Sequence, residues 1–333
     1  MLEKPDIHDD TIVACLQDEY GVVAKEIDFL PVGADENAAA YRVLAGDASA
    51  YFCKLRRGRF DQISVVLPRY LADQGIAEIL APLPSATGQL WASLDEFVLI
   101  LYPFIQGRDG YEVALSTRQW AQFGAALKRI HTLDLPPSLR GTIAREAYSP
   151  QWRETTQAFL ARIEDERFVD PVAQDLSVFL KAKRQEILDL VTRAERYAQA
   201  LQAQSREFVL CHSDIHAGNL LIGPDDALYI VDWDAPILAP KERDLMFVGG
   251  AQGFRGSTPQ EEEILFYRGY GPTQIDRIAL GYYRFERIVE DIAVFCQQIF
   301  LSGEGAKDRA QSLQYLKSNF LPNGTIDIAN RTI

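Results

Sequence analysis

The spacing of apolar and polar positions predicts strands in the first hundred residues. Short apolar runs, separated by turns rich in Gly and Asp, alternate too quickly for helices. The expected strands cover residues 26–30, 39–44, 51–55 and 97–102. This part of the chain therefore reads as a small β-rich unit.

Two helices are expected beside these strands. One covers residues 12–20, with Asp9 or Asp10 as its N-cap. The other covers residues 63–74, where Pro68 predicts either a kink or the true start of the helix.

After residue 107 the apolar positions recur three or four residues apart, which is the period of an amphipathic helix. Trp120, Phe123, Leu127 and Ile130 follow this spacing and predict a helix over 117–131, capped by Ser116 or Thr117. Further helices are expected over 154–163, 171–204, 260–270, 276–301 and 306–320. The predicted fold class is α+β with two lobes: a β lobe over 1–102, a linker over 103–110 and a helical lobe over 111–333.

A hairpin interrupts the predicted helices. The apolar segments 220–222 and 228–231 are too short for helices, and Gly-Pro-Asp-Asp at 223–226 has the composition of a turn. A carboxylate before the hairpin, an amide at its entrance and a carboxylate after it can converge on one point.

The polar residues around this hairpin are His212, Asp214, Asn219 and Asp232. Their H-x-D-x-x-x-x-N spacing, followed by an aspartate after the second strand, fits the catalytic loop of kinases. In that chemistry Asp214 orients the attacking hydroxyl, while Asn219 and Asp232 hold Mg²⁺ with ATP as substrate. The alternative is an acidic loop on a hydrophobic hairpin.

The predicted strand 51–55 offers groups that suit a nucleotide. Strand alternation places Phe52 and Lys54 on one face, where the ammonium can meet phosphates and the ring can meet adenine. A surface lysine on an edge strand is the alternative.

Two other segments are candidates for nucleotide contacts. Residues 31–37, with Gly33 and Asp35, can cover the phosphates with backbone N–H groups or form an ordinary hairpin turn. Residues 101–107, with Tyr102, Phe104 and Ile105, can pair with the adenine edge or be an ordinary strand exit.

Composition narrows the class of partner. The chain has 333 residues and a formal net charge of −13, which argues against nucleic-acid binding. The charge favours a cationic small substrate or serves solubility. Four widely spaced cysteines and four histidines make zinc and disulfides unexpected. Because residues 1–10 are polar and the apolar run 97–105 is short, we expect a cytoplasmic protein without membrane contact.

Taken together, the chain resembles the aminoglycoside phosphotransferase family of kinase-like enzymes. The resemblance is carried by residues 54–55, 102–105, 209–219, 239–247 and 283–294. It implies a protein-kinase-like bilobal fold. It also implies that Asp214 is catalytic, that Asn219 and Asp232 bind Mg²⁺, and that Lys54 binds the α- and β-phosphates. His212 and Asp244 match residues that support the catalytic loop.

Segments 239–247 and 283–294 point to one branch of this family. The resemblance implies that the acceptor is a small cationic aminocyclitol, phosphorylated at the 9-hydroxyl of the antibiotic spectinomycin. Carboxylates are then needed near Asp214, or the acidic residues simply form a solvated face. The candidates are Asp234, Glu286, Glu290 and Asp291.

Three alternatives remain. The first is another small-molecule kinase of the superfamily, acting on choline, homoserine, a methylthio-sugar or hygromycin. The second, a protein kinase, is disfavoured because residues 232–244 leave no room for an ordinary activation loop. The third is a nucleotide-binding sensor without turnover. One departure from kinases is that no glutamate lies between Lys54 and Glu78, so the strand lysine has no predicted acidic partner.

Overall fold

The computed structural model describes residues 4–33, 37–250, 253–302 and 305–332. The strands are β1 (Ala24–Leu30), β2 (Ala38–Ala45), β3 (Ala50–Arg57), β4 (Ala92–Leu94), β5 (Phe97–Pro103), β6 (Arg108–Asp109), β7 (Ala144–Arg145), β8 (Val209–Cys211), β9 (Leu220–Ile222), β10 (Leu228–Ile230) and β11 (Ile237–Ala239). The helices are α1 (Asp9–Tyr20), α2 (Ile63–Asp73), α3 (Thr117–Thr132), α4 (Pro137–Arg140), α5 (Gln151–Asp165), α6 (Pro171–Gln202), α7 (Glu242–Leu245), α8 (Pro259–Tyr270), α9 (Arg277–Phe300), α10 (Ala306–Ser318) and α11 (Thr325–Arg331).

The N-terminal part is built on a five-stranded antiparallel sheet in the order β1-β2-β3-β5-β4. Alternation along β3 buries Cys53 and Leu55 completely, in one apolar cluster with Ile12 and Leu16 of α1. The opposite face of β3 presents Phe52 and Lys54, which are only partly buried. The sheet core therefore forces these two side chains to the same side, as the sequence predicts.

The N-cap of α1 is His8, so the prediction of Asp9 or Asp10 is wrong. Both aspartates lie in the first turn instead. There their charges favour the positive end of the helix dipole, which stabilises the helix without a capping hydrogen bond.

Pro68 lies inside α2 and neither starts nor ends it. Proline removes one helical hydrogen bond. The apolar face of α2, including Leu67 and Leu71, is fully buried in the same core cluster as the C-terminal helices. Burial of this face offsets the missing bond. The lobe boundaries at 102 and 111 stay a prediction.

The C-terminal part is organised around α9. Helices α5, α6, α7, α10 and α11 all pack against it, while α3 packs against α8. The α3–α8 approach requires glycine, because a Cβ at Gly269 would lie 1.8 Å from the Ala121 carbonyl oxygen. Among the described residues, no helix is long and apolar enough to cross a membrane.

Two small sheets position the polar loops that precede and follow the predicted hairpin. The predicted hairpin is confirmed, with β9 and β10 antiparallel and Leu220 opposite Ile230. Strand β6, from the predicted linker, extends this hairpin to the order β10-β9-β6. A Cβ at Gly107 would lie 2.4 Å from the Ile222 carbonyl oxygen, so glycine is needed where the linker meets the hairpin.

The second small sheet has the order β7-β11-β8. Its strands have two or three residues, too few for a periodic signal, and the sequence did not predict them. Strand β8 leads into the loop before the hairpin, and β11 follows the loop after it. The pairing of β8 with β11 therefore sets the two loops side by side.

Candidate active site

Asp244, at the short helix α7, holds the loop after β8. Its carboxylate is fully buried and accepts hydrogen bonds from the backbone N–H groups of His212, at 2.9 Å, and Ser213, at 2.7 Å. His131 Nε2 lies 3.0 Å from the same carboxylate. Burial alone would raise the pKa of Asp244, but His131 and these backbone donors lower it. The Asp244 carboxylate therefore stays ionised.

His212 joins this loop to the end of the hairpin. Its Nε2 donates to the Val231 carbonyl at 2.9 Å, and its Nδ1 accepts from the Asp214 N–H at 3.3 Å. Ser213, between His212 and Asp214 in the chain, has a left-handed φ of 75°. Such backbone is uncommon for residues other than glycine and is concentrated at functional sites.

Asn219 and Asp232 lie next to each other across the base of the hairpin. Val231 donates its N–H to the Asn219 carbonyl at 3.0 Å, and Asn219 Nδ2 donates to the Asp214 carbonyl at 2.7 Å. Asp232 follows with a left-handed φ of 64° and a carboxylate that is 47% exposed. The Asn219 amide oxygen and the Asp232 carboxylate are hard oxygen donors, so this pair fits Mg²⁺.

Asp214 is held by an arginine from α9. Arg287 Nη1 donates to Asp214 Oδ1 at 2.6 Å. Burial alone would raise the pKa of the Asp214 carboxyl, but Arg287 and, to a smaller extent, His216 lower it to about 2. Asp214 is therefore anionic throughout the neutral range.

His216 lies on the other side of Asp214. Its Nδ1 accepts from the Gly218 N–H at 3.0 Å and lies 3.0 Å from the Tyr111 hydroxyl. In the neutral ring the proton is therefore on Nε2, which is 3.7 Å from Asp214 Oδ2. Burial lowers the pKa of His216, which favours this neutral form.

The acidic partner that sequence reasoning could not assign to Lys54 is a pair of aspartates. Lys54 Nζ lies 2.9 Å from Asp232 Oδ1 and 2.9 Å from Asp234 Oδ2. Arg56, two residues further along the same face of β3, also donates to Asp234. Burial works to lower the pKa of Lys54, but Asp232 and Asp234 raise it above its ordinary value. In kinases the corresponding lysine pairs with a glutamate on a helix, whereas here both partners follow β10.

Of the other predicted nucleotide residues, Phe52 lies on β3, Tyr102 on β5 and Phe104 directly after β5. Phe52 is opposite Tyr102 in the sheet, with ring centroids 6.3 Å apart. The Phe104 ring lies 5.5 Å from the Arg42 guanidinium. Gly33, which follows β1, has a left-handed φ of 87°. Asp35 lies outside the described residues.

Ile105 is the remaining predicted nucleotide residue. It contacts the turn of the hairpin, because a Cβ at Gly223 would lie 2.9 Å from its Cγ2. The linker and the hairpin are thus in direct contact at this point.

The four predicted substrate carboxylates are not all brought together. Asp234 forms an ion pair with Lys54. Asp291 accepts from Arg287 Nε at 2.9 Å, and Asp291, Asp214 and, to a smaller extent, Glu290 raise the pKa of that guanidinium. Glu286 is enclosed, with a side chain that is only 5% exposed and paired with Arg153.

Glu286 pairs with Arg153 of α5 at 2.5 Å. Burial raises the pKa of Glu286 to about 7, with Arg153 opposing. Glu195 of α6 pairs with the same arginine at 2.8 Å but is 44% exposed. Arg153 therefore ties α5 to α6 and α9.

Glu286→Ala is expected to lower the free energy of unfolding by about 3 kcal/mol, because it leaves a buried guanidinium with one partner fewer. Glu195→Ala is the matched control on the same arginine and is expected to cost less than about 1 kcal/mol, because its carboxylate is exposed. Denaturant unfolding at neutral pH measures both. Equal losses would show that burial does not distinguish the two pairs.

Asp234→Asn is expected to raise KM for ATP by about tenfold, since one lost charge-assisted bond is worth roughly 1.5–3 kcal/mol. Lys54 would keep only Asp232 and lose its fixed position. Initial rates at varied ATP measure this, with Asp28→Asn on the exposed partner of Arg42 as control. An unchanged KM would contradict a positioning role for Asp234.

Sequence reasoning missed Arg56, Tyr111 and His216 as parts of the site and, although Arg287 could face the cleft by its spacing, assigned it no role. A signal existed for Arg56, which shares the Lys54 face of the strand by alternation. No local signal predicts that Arg287 meets Asp214, because 73 positions separate them.

Comparison with known proteins identifies the family. The phosphotransferase enzyme family (APH) matches residues 28–268. A crystal structure of spectinomycin phosphotransferase with ADP and spectinomycin is 38% identical, with a TM-score of 0.91, covering 98% of this chain and 99% of that one. Its AMP-bound complex is 36% identical, with a TM-score of 0.86, covering 97% and 98%.

More distant structures share the fold alone. An amicoumacin kinase in complex with AMP-PNP and Ca²⁺ is 16% identical, with a TM-score of 0.61, covering 98% of this chain and 94% of that one. Comparison with curated protein sequences gave no significant match. The resemblance to the spectinomycin branch is confirmed by the identity over nearly the whole chain. The chain belongs to the APH phosphotransferase family, with the kinase-like fold, and is a small-molecule phosphotransferase that acts on hydroxyl groups.

Proposed function

We propose that the protein transfers the γ-phosphate of ATP to the 9-hydroxyl of spectinomycin and so inactivates the antibiotic. The observation that carries this proposal is the 38% identity, over 98% of the chain, to an enzyme whose structure holds ADP and spectinomycin. The physiological role that follows is antibiotic resistance in the cytoplasm.

Asp214 is the proposed catalytic residue. Because Arg287 occupies Oδ1, the acceptor hydroxyl donates its hydrogen bond to Oδ2. The hydroxyl oxygen forms a bond to the γ-phosphorus, and the bond from that phosphorus to the β–γ bridging oxygen breaks. ADP leaves with the electron pair, and the hydroxyl proton passes to Asp214 or onward to solvent. The carboxylate acts mainly by positioning, as is usual for phosphoryl transfer.

Asn219 and Asp232 are the proposed residues that hold Mg²⁺. When bound with ATP, the ion neutralises charge on the phosphates. Lys54 binds the α- and β-phosphates, and its ion pairs with Asp232 and Asp234 keep it protonated and aimed at the hairpin.

The proposed adenine site lies between the sheet and the linker. Phe52 and Tyr102 present adjacent rings on neighbouring strands. The Phe104 N–H already donates to the Ala50 carbonyl at 3.1 Å, so the Phe104 carbonyl and the Ile105 backbone are the proposed partners of the adenine edge. Gly33 is proposed to cover the phosphates, and Asp35, outside the described residues, stays a prediction. This arrangement supports the division into a nucleotide lobe over 1–102, a linker over 103–110 and a substrate lobe over 111–333.

The acceptor side is acidic, which suits a dication. Asp291, which pairs with Arg287 at 2.9 Å, and the adjacent Glu290 on α9 are the proposed contacts for the methylammonium groups. Glu286 contributes to packing rather than to the pocket, since Arg153 and burial enclose its carboxylate.

Purified protein is expected to phosphorylate spectinomycin and to leave kanamycin nearly untouched. The acceptor must place one hydroxyl at Asp214 while its cationic groups meet the α9 carboxylates. A coupled ADP-release assay over spectinomycin, streptomycin, kanamycin, hygromycin and choline measures this preference. Cells that express the chain are expected to survive spectinomycin and to remain sensitive to kanamycin.

The results of this assay test the phosphotransferase assignment and the proposed acceptor separately. Transfer to choline or kanamycin, with none to spectinomycin, would leave the phosphotransferase assignment intact and overturn the proposed acceptor. Asp214→Asn in the same cells is the control, since it is expected to abolish survival without removing the protein.

A further inference from the structure

We infer that Arg287 is a positioning residue, which fixes the Asp214 carboxylate so that a single oxygen faces the acceptor hydroxyl. The inference rests on the proposed function of Asp214. It concerns acceptor geometry and is independent of which alcohol is phosphorylated.

The first observation is the geometry of the ion pair. Arg287 Nη1 donates to Asp214 Oδ1 at 2.6 Å, a short charge-assisted contact. This bond leaves Oδ2 free of Arg287, so Oδ2 is the oxygen that accepts the hydrogen bond of the acceptor hydroxyl. Oδ2 in turn lies 3.7 Å from His216 Nε2, so the carboxylate is bounded on both sides.

The second observation is that Arg287 is itself held. Its Nε donates to Asp291 at 2.9 Å, one turn along α9, and its guanidinium lies 5.7 Å from the Phe247 ring centroid. The arginine side chain is only 21% exposed. A guanidinium can bind two carboxylates at once through different nitrogens, which the single ammonium of lysine cannot do in the same geometry.

The third observation concerns charge. Arg287 lies between two carboxylates, with Nη1 on Asp214 and Nε on Asp291. Its positive charge therefore offsets negative charge at the carboxylate that faces the acceptor hydroxyl and lowers the pKa of Asp214. The same side chain thus separates the accepting oxygen from the groups that bind the ammonium.

The test compares transfer with futile hydrolysis. In Arg287→Met, Asp214 is free to rotate, so acceptor phosphorylation is expected to fall by about 100-fold, as for loss of a positioned base. KM for Mg–ATP and ATP hydrolysis without acceptor are expected to change by less than about threefold, because neither uses the fixed oxygen. The ratio of transfer to hydrolysis therefore falls.

Arg287→Lys keeps the charge but not the two-carboxylate geometry. Its rate of acceptor phosphorylation is expected to fall by about tenfold. If Arg287→Met does not fold, Arg287→Lys is the variant that tests the inference. Arg309→Met is the matched control, since Arg309 is 19% exposed and pairs with Asp170 at 3.0 Å, between α10 and the N-cap of α6. Its transfer-to-hydrolysis ratio is expected to be that of the wild type.

A double-mutant cycle shows whether Arg287 acts through Asp214. In an Asp214→Asn background, Arg287→Met is expected to cause less than about a threefold further loss, since the carboxylate it positions is gone. Additive losses, or a wild-type ratio in both Arg287 variants, would overturn the inference. If the wild type prefers another alcohol of the panel, the proposed acceptor fails and the same ratios are measured with that alcohol.

Discussion

Asp214→Asn is expected to lower kcat by about 10²–10⁴-fold, the usual cost of removing a positioned base. The amide keeps the shape and can still face Arg287, but it cannot accept a proton. Mg–ATP affinity is expected to stay near the wild-type value, because Asp214 faces the acceptor rather than the nucleotide. Steady-state kinetics with saturating ATP, together with calorimetry of Mg–ATP binding, measure the two effects separately.

The control for this substitution is Asp226→Asn on the exposed turn of the same hairpin. Asp226 has a left-handed φ of 58°, which asparagine also tolerates. It is expected to leave turnover unchanged. Turnover of Asp214→Asn within a few-fold of the wild type would remove Asp214 from the catalytic role.

Asp232→Ala is expected to abolish Mg²⁺-dependent nucleotide binding and turnover together. Substituting residues that only support a metal ligand costs about 10–100-fold, so loss of the ligand itself should cost at least about 100-fold. Because Asp232 has a φ of 64°, alanine also strains the backbone. Asp232→Asn avoids that strain and keeps the fold, so it separates loss of the charge from loss of the structure.

Calorimetry of ATP binding with Mg²⁺ and with a chelator measures this effect. The wild type is expected to lose affinity when the chelator is added. Both Asp232 variants are expected to bind ATP weakly under either condition. A variant whose affinity still depends on Mg²⁺ as in the wild type would show that the metal is held elsewhere.

The structural features that depend on residues close together in the chain follow from the sequence. The hairpin is defined by two apolar runs and a Gly-Pro-Asp-Asp turn, and the structure forms it with the expected strands. The capping box at Ser116 and the periodicity of α3 likewise act within a few residues. These features could be predicted because their causes lie close together in the chain.

The parts that could not be predicted depend on distant contacts. The sequence offers Asp234 as a candidate contact for the substrate, yet it pairs with Lys54 across 180 positions. Glu286 has the spacing of a pocket residue on α9, but Arg153 encloses it from a separate helix. Helical periodicity places a residue on a face without saying what that face meets.

The most direct test of the proposed function is the chemical structure of the product. Purified protein with Mg²⁺, ATP and spectinomycin is incubated to completion, and the product is examined by mass spectrometry and by phosphorus–proton NMR correlation. The proposed function predicts one added phosphoryl group, located on the 9-hydroxyl, and at most a trace of that product from Asp214→Asn in the same time. Phosphate on a different hydroxyl, or ADP formed without any phosphorylated alcohol, would contradict it.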